Sequence, residues 1–315
     1  MPPQKRPLPD QIPSIFSTQQ VLAEGLKAQH LRHPDLEVVS RGIRRRSSIP
    51  RDDLAHLAAL QDIHGMGVFT HETAAAVWGM WLPPWCKPFD PVHVAKAREA
   101  GPRPRRKRVQ GHLLPTDAVI QRVTGVRVTE PAWTWVQLAG TDLSLEHLVA
   151  AGDSLLQSSD GPTAEREPGM HPLSSIQNLK DVITKRTKVK GIRRARQAVE
   201  LLREGADSPQ ESRLRIRIVD AGFPEPVVNP EVVLSTGERV PPDLVWEDVK
   251  ICVQYEGDHH RSDAKQWDRD IQRDRRMQFD GWIVLRVTKQ VFTPGGWDAF
   301  VRDLRRSFAS RELGQ

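Results

Sequence analysis

The chain is short of the residues that staple small secreted domains. It has two cysteines in 315 residues, Cys86 and Cys252. They form no CxxC pair and no metal-ligand spacing, which excludes a designed disulfide framework and argues against a zinc site. Long apolar runs are missing too. No stretch reaches the roughly 18 residues a membrane span needs, so no membrane partner is expected. The N-terminal MPPQKRPLPDQIP has no apolar h-region, so no signal peptide is expected. These absences together point to a reducing cytoplasm. There is no large charge excess of one sign either. Lys and Arg number 46 against 40 Asp and Glu, a net +6. That tilts towards a polyanionic partner without demanding one. What is present is ordinary globular material: 38% hydrophobic and 27% charged residues, enough for real cores and, at this length, for two or three domains.

The expected fold class is a multi-domain α/β chain. Residues 1–13 read as a disordered Pro-rich tail. Residues 14–50 read as a helix capped by Ser17, a Gly25 turn, a second helix over Leu26–Leu31 and a basic hairpin, LEVVSRGIRRR, turning at Gly42. That order resembles a reduced winged helix-turn-helix, with Arg44, Arg45 and Arg46 as candidate phosphate contacts. The alternative is a small helical cap with solvated arginines. Residues 51–157 read as a mixed α/β unit, with helices over Asp52–His64, Thr70–Trp78, Pro131–Ala139 and Leu145–Leu156 and strands at Val92–Ala95, Val109–Leu114 and Val119–Val128. His71 and Glu72 are adjacent and face different ways on a helix, so core or capping roles are expected of them. Asp153 is expected to pack or cap. Trp78, Trp81, Trp85, Trp133 and Trp135 are expected to fill cores and junctions. Residues 158–175 read as a linker. Residues 176–206 read as a basic helical connector, with Lys188, Lys190 and Arg193 as candidate DNA contacts; the alternative is a solvated surface helix.

The chemistry concentrates in Val240–Arg261, VPPDLVWEDVKICVQYEGDHHR. Val240–Trp246 and Val249–Tyr255 alternate and read as paired strands. With a two-residue turn at Glu247-Asp248, Trp246 pairs with Val249, and Asp243 shares a face with Cys252, Gln254 and Glu256. A two-residue register shift keeps that relation; a one-residue slip destroys it. A carboxylate on one strand and polar groups at i, i+2 on the next can hold Mg²⁺ (or Mn²⁺), which makes Asp243 and Glu256 the candidate metal ligands. The bland alternative is a half-exposed hairpin with charges on its wet face.

Pro242-Asp243, Gln254-Tyr255-Glu256-Gly257 and His260 resemble the PD-(D/E)xK nuclease superfamily, in the branch similar to very-short-patch-repair endonucleases. Three further runs fit that branch: Ser208-Pro209-Gln210-Glu211, Arg269-Asp270-Ile271-Gln272-Arg273, and Gly281-Trp282-Ile283-Val284-Leu285-Arg286. The resemblance covers residues 207–310 and implies a restriction-endonuclease-like αβββαβ core. It implies catalytic roles for Asp243, Glu256, His260, Glu211 and Gln254, and substrate contacts for Arg269, Arg273 and Arg286. Gln254 departs from the family's carboxylate and Glu256 from its Asp, which weakens the case for activity. The order FTHETAAAVWGMWLP, VHVA, GHLL, GVRVTEPAWTWVQLA, LVAAGDSLL is similar to the middle domain of AbiEi-like antitoxins of type IV toxin–antitoxin systems, and with the front winged helix the resemblance spans residues 15–157. Two functions follow as expectations. One is a DNA-binding protein with a metal-dependent endonuclease domain. The other is a non-catalytic regulator or antitoxin with a degraded nuclease site, whose partners are DNA and a cognate toxin protein.

Overall fold

The computed structural model describes residues 8, 12–50, 52–65, 67–157, 172–257 and 264–313, except the side chains of 264–271. The chain is mixed α/β and divides into two compact units. One comprises residues 1–141 and 185–192; the other comprises 142–184 and 193–315. No helix among the described residues is long and apolar enough to cross a membrane.

The first unit opens with β1 (Ile15–Ser17) and α1 (Thr18–Ala23), which starts where Ser17 Oγ accepts the Gln20 N–H at 2.9 Å. The second helix expected here is a five-residue 3₁₀ segment, Ala28–Arg32. It is too short to serve as a recognition helix in a major groove. β2 (Leu36–Ser40) and β3 (Ile43–Arg46) form the expected hairpin, and β1 adds to its far edge in the order β1-β3-β2. α2 (Asp53–Ile63) is capped by Asp52. β4 (Val68–Phe69), α3 (His71–Val77), β5 (Val92–Ala97), β6 (Val109–Leu114), β7 (Ile120–Val123) and β8 (Val126–Thr129) follow. The five strands order as β6-β5-β4-β8-β7. The single strand expected over 119–128 is therefore a hairpin. Thr124 and Gly125 both take positive φ there, which breaks the run into two strands. α4 (Pro131–Leu138) buries Trp133 and Trp135. Trp85 is not core: it follows Pro83-Pro84 in a loop and is 57% exposed.

The second unit begins with α5 (Leu145–Leu156), not with the linker expected at 158. The boundary moves because α5 packs on α8 (Pro209–Asp220) through a fully buried ion pair between Asp153 and Arg215. Between them lie α6 (Ile176–Lys185) and α7 (Ile192–Glu200). The expected basic connector is thus split, and its middle belongs to the first unit. There Gly191 (φ 82) lies so close to the Ala139 carbonyl that a Cβ would stand 2.1 Å from it. Only glycine permits that approach.

After α8 come β9 (Val227–Val228), β10 (Val232–Val233), β11 (Arg239–Val240), β12 (Leu244–Trp246), β13 (Ile251–Glu256), α9 (Ala264–Phe279), β14 (Ile283–Thr288) and α10 (Pro294–Glu312). β9 and β10 are separated at Asn229-Pro230, where Asn229 takes φ 44. Four strands order as β14-β13-β12-β9; β13 and β14 run parallel and the other neighbours antiparallel. β10 and β11 pair separately.

Both faces of this sheet are covered. Leu244, Trp246, Ile251 and Val253 pack with Leu214 and Ile218 of α8 and Phe300 and Leu304 of α10. Val245 and Cys252 pack with Val232, Leu234, Val240, Met277 and Trp282. The strands of the hairpin are buried at Val245 and Cys252, and their partial exposure is confined to the far end, at Asp243 and residues 254–256.

Candidate functional site

The β12–β13 register pairs Trp246 with Ile251 and Leu244 with Val253. It is displaced by two residues from the register a two-residue turn dictates. A 3₁₀ turn at Glu247–Val249 and a left-handed Lys250 fill the larger connection. Because the displacement is even, Asp243 still shares its face with Cys252, Gln254 and Glu256.

Asp243 is the centre of the acidic site. Its carboxylate accepts the Gln254 Nε2–H at 2.7 Å and the Tyr255 backbone N–H at 2.6 Å. Burial, followed by the negative charge of Glu211, pushes its pKa up to about 7, while the Tyr255 N–H and the Arg273 guanidinium pull the other way. Glu211 is brought to it by the start of α8. Ser208 caps that helix and donates to Glu211 Oε1 at 2.7 Å, while the Asp207 N–H (3.0 Å) and Asn229 Nδ2 (2.8 Å) donate to Oε2. Asn229 also ties its own N–H to the Asp243 carbonyl at 2.8 Å, which binds the end of β9 to the site. Burial raises the Glu211 pKa despite these donors.

Glu256 is engaged elsewhere. Arg286, paired with Gln254 across the parallel β13–β14 ladder, donates Nη1–H to Glu256 and Nε–H to Asp274. Glu256 and Arg286, expected to hold metal and DNA respectively, hold each other. Arg273 lies 3.9 Å from Asp274 and close enough to Asp243 to lower its pKa. His260 and the Arg269 side chain lie outside the described residues.

The candidate DNA contacts divide by what they touch. Arg45 pairs with Glu37 at 2.6 Å, Arg46 donates to the Ile12 carbonyl at 2.8 Å, and Arg44 donates to the Ile43 carbonyl at 3.3 Å. Half-buried and internally bonded, these three are parts of the hairpin's own structure. Lys188, Lys190 and Arg193 are all exposed.

A second constellation was not anticipated. Among the described residues, the one set of three or more His, Cys, Asp or Glu side chains whose ligand atoms all lie within 4.8 Å is His71, His93 and His112. Glu211, Asp243 and Glu256 do not form such a set. His71 opens α3, His93 lies in β5 and His112 in β6, where Ala95 pairs with His112. His93 Nδ1 is 3.0 Å from His112 Nε2, and the His71 and His112 rings stack at 4.0 Å. Burial above all keeps the three neutral, with pKa values pushed down to about 2 for His71 and about 4 for the other two. His71 was visible only beside Glu72. The hint in the sequence was a histidine inside each of two apolar strands, VHVA and QGHLL; the parallel pairing that joins them has no local signal.

No family model and no solved structure matches the chain. It is similar to two proteins of Mycobacterium tuberculosis, the uncharacterized protein MT2308 of strain CDC 1551 / Oshkosh and the uncharacterized protein Rv2248 of strain ATCC 25618 / H37Rv. Each is 26% identical over 239 residues, spanning 75% of this chain and 80% of the relative.

Proposed function

We propose that residues 207–310 form a PD-(D/E)xK-type, metal-dependent nuclease domain acting on DNA phosphodiesters. The element order α8, β9, β12, β13, α9, β14, with the small β10–β11 pair inserted, supports the αβββαβ reading. The observation that carries the proposal is the joining of Asp243 and Glu211 through Asn229, whose N–H donates to the Asp243 carbonyl at 2.8 Å and whose Nδ2–H donates to Glu211 Oε2 at 2.8 Å, with burial and the Glu211 charge pushing the Asp243 pKa up to about 7. A half-buried and a buried carboxylate whose charges oppose each other make an oxygen donor set that a hard cation relieves. The fitting ligands are therefore Asp243 and Glu211, with the Gln254 carbonyl as a neutral third, since Glu256 is bound to Arg286. Mg²⁺ or Mn²⁺ there supplies polarisation of the phosphodiester and an ionised water. Arg273 places positive charge beside the carboxylates for a scissile phosphate, and His260 is assigned proton transfer on sequence grounds. Supercoiled and linear DNA incubated with the full chain and Mg²⁺ or Mn²⁺ is expected to be nicked; no nicking with either ion sinks the proposal. Gln254→Glu restores the third carboxylate, so it is expected to tighten divalent-ion binding and to lower the melting temperature of the metal-free protein.

Lys188, Lys190 and Arg193 are proposed to hold the DNA backbone. Replacing all three with Ala is expected to flatten the dependence of log affinity on log salt by roughly 0.9 per lost contact. An unchanged slope removes them from the interface.

The second reading is a non-catalytic regulator or antitoxin with DNA and a toxin as partners. It is favoured by the Glu256–Arg286 pair and by the Gln254 amide donating to Asp243. Salt-sensitive binding to its own promoter without cleavage is its expected signature.

A further inference from the structure

We propose that His71, His93 and His112 form a binding site for one borderline divalent transition-metal ion of the Zn²⁺ class. The three ligand atoms already lie within 4.8 Å of one another. Two nitrogens on one tetrahedral zinc stand roughly 3.3 Å apart, given Zn–N bonds of about 2.0–2.1 Å. His93 Nδ1 and His112 Nε2, at 3.0 Å, are close to that spacing before any ion is added.

The oxygen atoms beside two of the rings strengthen the assignment. His71 Nδ1 lies 3.0 Å from Thr70 Oγ1, and His93 Nε2 lies 3.4 Å from Glu72 Oε2. A carboxylate this close to a ring nitrogen favours a proton on that nitrogen, which leaves the other lone pair for the ion. With Nδ1–H on His71 and Nε2–H on His93, the lone pairs of His71 Nε2 and His93 Nδ1 are available. His112 then donates its Nε2–H to His93 Nδ1 in the metal-free protein. Binding requires only that this proton leave Nε2 while solvent supplies one to Nδ1. All three rings stay neutral, and no net proton is gained or lost.

The backbone is fitted to the arrangement. His71 takes φ 50, a left-handed conformation that a side-chain-bearing residue rarely adopts. Its N–H is tied to Gln137 Oε1 at 3.2 Å. The His93 N–H donates to Thr73 Oγ1 at 2.9 Å, and its carbonyl accepts the Thr70 N–H at 3.1 Å, so α3 and β5 are fastened on both sides of the cluster. Imidazole donors select Zn²⁺, Co²⁺, Ni²⁺ or Cu²⁺ over Mg²⁺, and three ligands leave a fourth position for water.

The test uses the full chain, stripped with EDTA, titrated with ZnCl₂ and assayed for metal after gel filtration. One zinc per chain is expected. Glu72→Gln is expected to weaken binding about 10–100-fold, as losses of outer partners do. His93→Ala and His112→Ala are expected to weaken it by more than about 100-fold. Retention of the bound zinc in excess Mg²⁺ is expected, because imidazole donors hold Zn²⁺ in preference to Mg²⁺, and this separates the site from the acidic one. Co²⁺ on the unaltered chain provides a readout that needs no folded variant: intense visible bands of a tetrahedral, nitrogen-rich site are expected. A pale six-coordinate spectrum, no retained zinc, or parent-like affinity in a folded His93→Ala protein overturns the proposal.

Discussion

Asp243→Asn is expected to make the metal-free protein more stable at pH 8 and to abolish its divalent-ion-dependent cleavage of DNA. The first effect follows from linkage. The Asp243 carboxyl titrates at an ordinary 3.8 in the unfolded chain and at about 7 in the fold. Between those values the folded chain holds a proton that the unfolded chain has released. Stability from this group is therefore fully present below pH 3.8 and is lost as pH rises towards 7. Asparagine carries no charge to bury. It can accept the Tyr255 N–H as the carboxylate does, and Gln254 can turn its amide to present a carbonyl to the new NH₂. A gain on the order of 2 kcal/mol at about pH 8 is expected, shrinking towards zero at about pH 4. Asp153 titrates with the same sign and cancels in the difference between variant and parent; Glu211, whose charge acts on Asp243, does not cancel, so the difference reports the two acidic groups together. Urea midpoints at these two pH values measure it. A variant less stable than the parent at the higher pH, or still able to nick DNA, shows that Asp243 is not the anionic centre of a cation site.

Arg215→Leu is expected to destabilise the second unit by about 3–5 kcal/mol. Arg215 is completely buried. Its Nη2–H groups donate to Asp153 Oδ2 at 3.1 Å and to the Leu201 carbonyl at 2.8 Å, and Nη1–H donates to Glu225 at 2.7 Å. Asp153 is also buried, and burial outweighs Arg215 to push its pKa up to about 6. Without the guanidinium, Asp153 keeps the Arg203 N–H at 2.9 Å but loses its countercharge. It then becomes an uncompensated buried anion. The double variant Arg215→Leu with Asp153→Asn is expected to recover much of the loss, because the substituted amide still accepts from the Arg203 N–H and buries no charge. Equal melting temperatures for the single and double variants would show that Asp153 is not the source of the cost.

These two side chains show what a sequence can disclose. Asp153 was recognisable as a packing or capping carboxylate, because it sits late in an apolar helix. Its partner lies 62 residues away, and no local pattern joins them. The acidic site divides in the same way. Asp243 and Gln254 sharing a face follows from strand alternation, and Glu211 beside the Ser208 cap follows from helix-start chemistry. The Arg286–Glu256 pair depends on β14 lying parallel to β13, and it changes which carboxylates are available. In the front segment, the basic hairpin was legible but the use of its arginines was not. Arg45 and Arg46 are occupied by Glu37 and the Ile12 carbonyl.

Sequence alone determined the local elements: helices beginning at Ser17, Asp52 and Ser208, where a side-chain oxygen takes the first free N–H, and strands whose period of two sorts polar from apolar faces. Those interactions span a few residues and are set by covalent neighbours. Only the tertiary structure decided the register across the 247–250 turn, the assignment of α5 to the second unit, the diversion of Glu256 to Arg286 and the meeting of His71, His93 and His112. Each depends on contacts between segments distant along the chain, selected by burial of whole faces rather than by any short pattern.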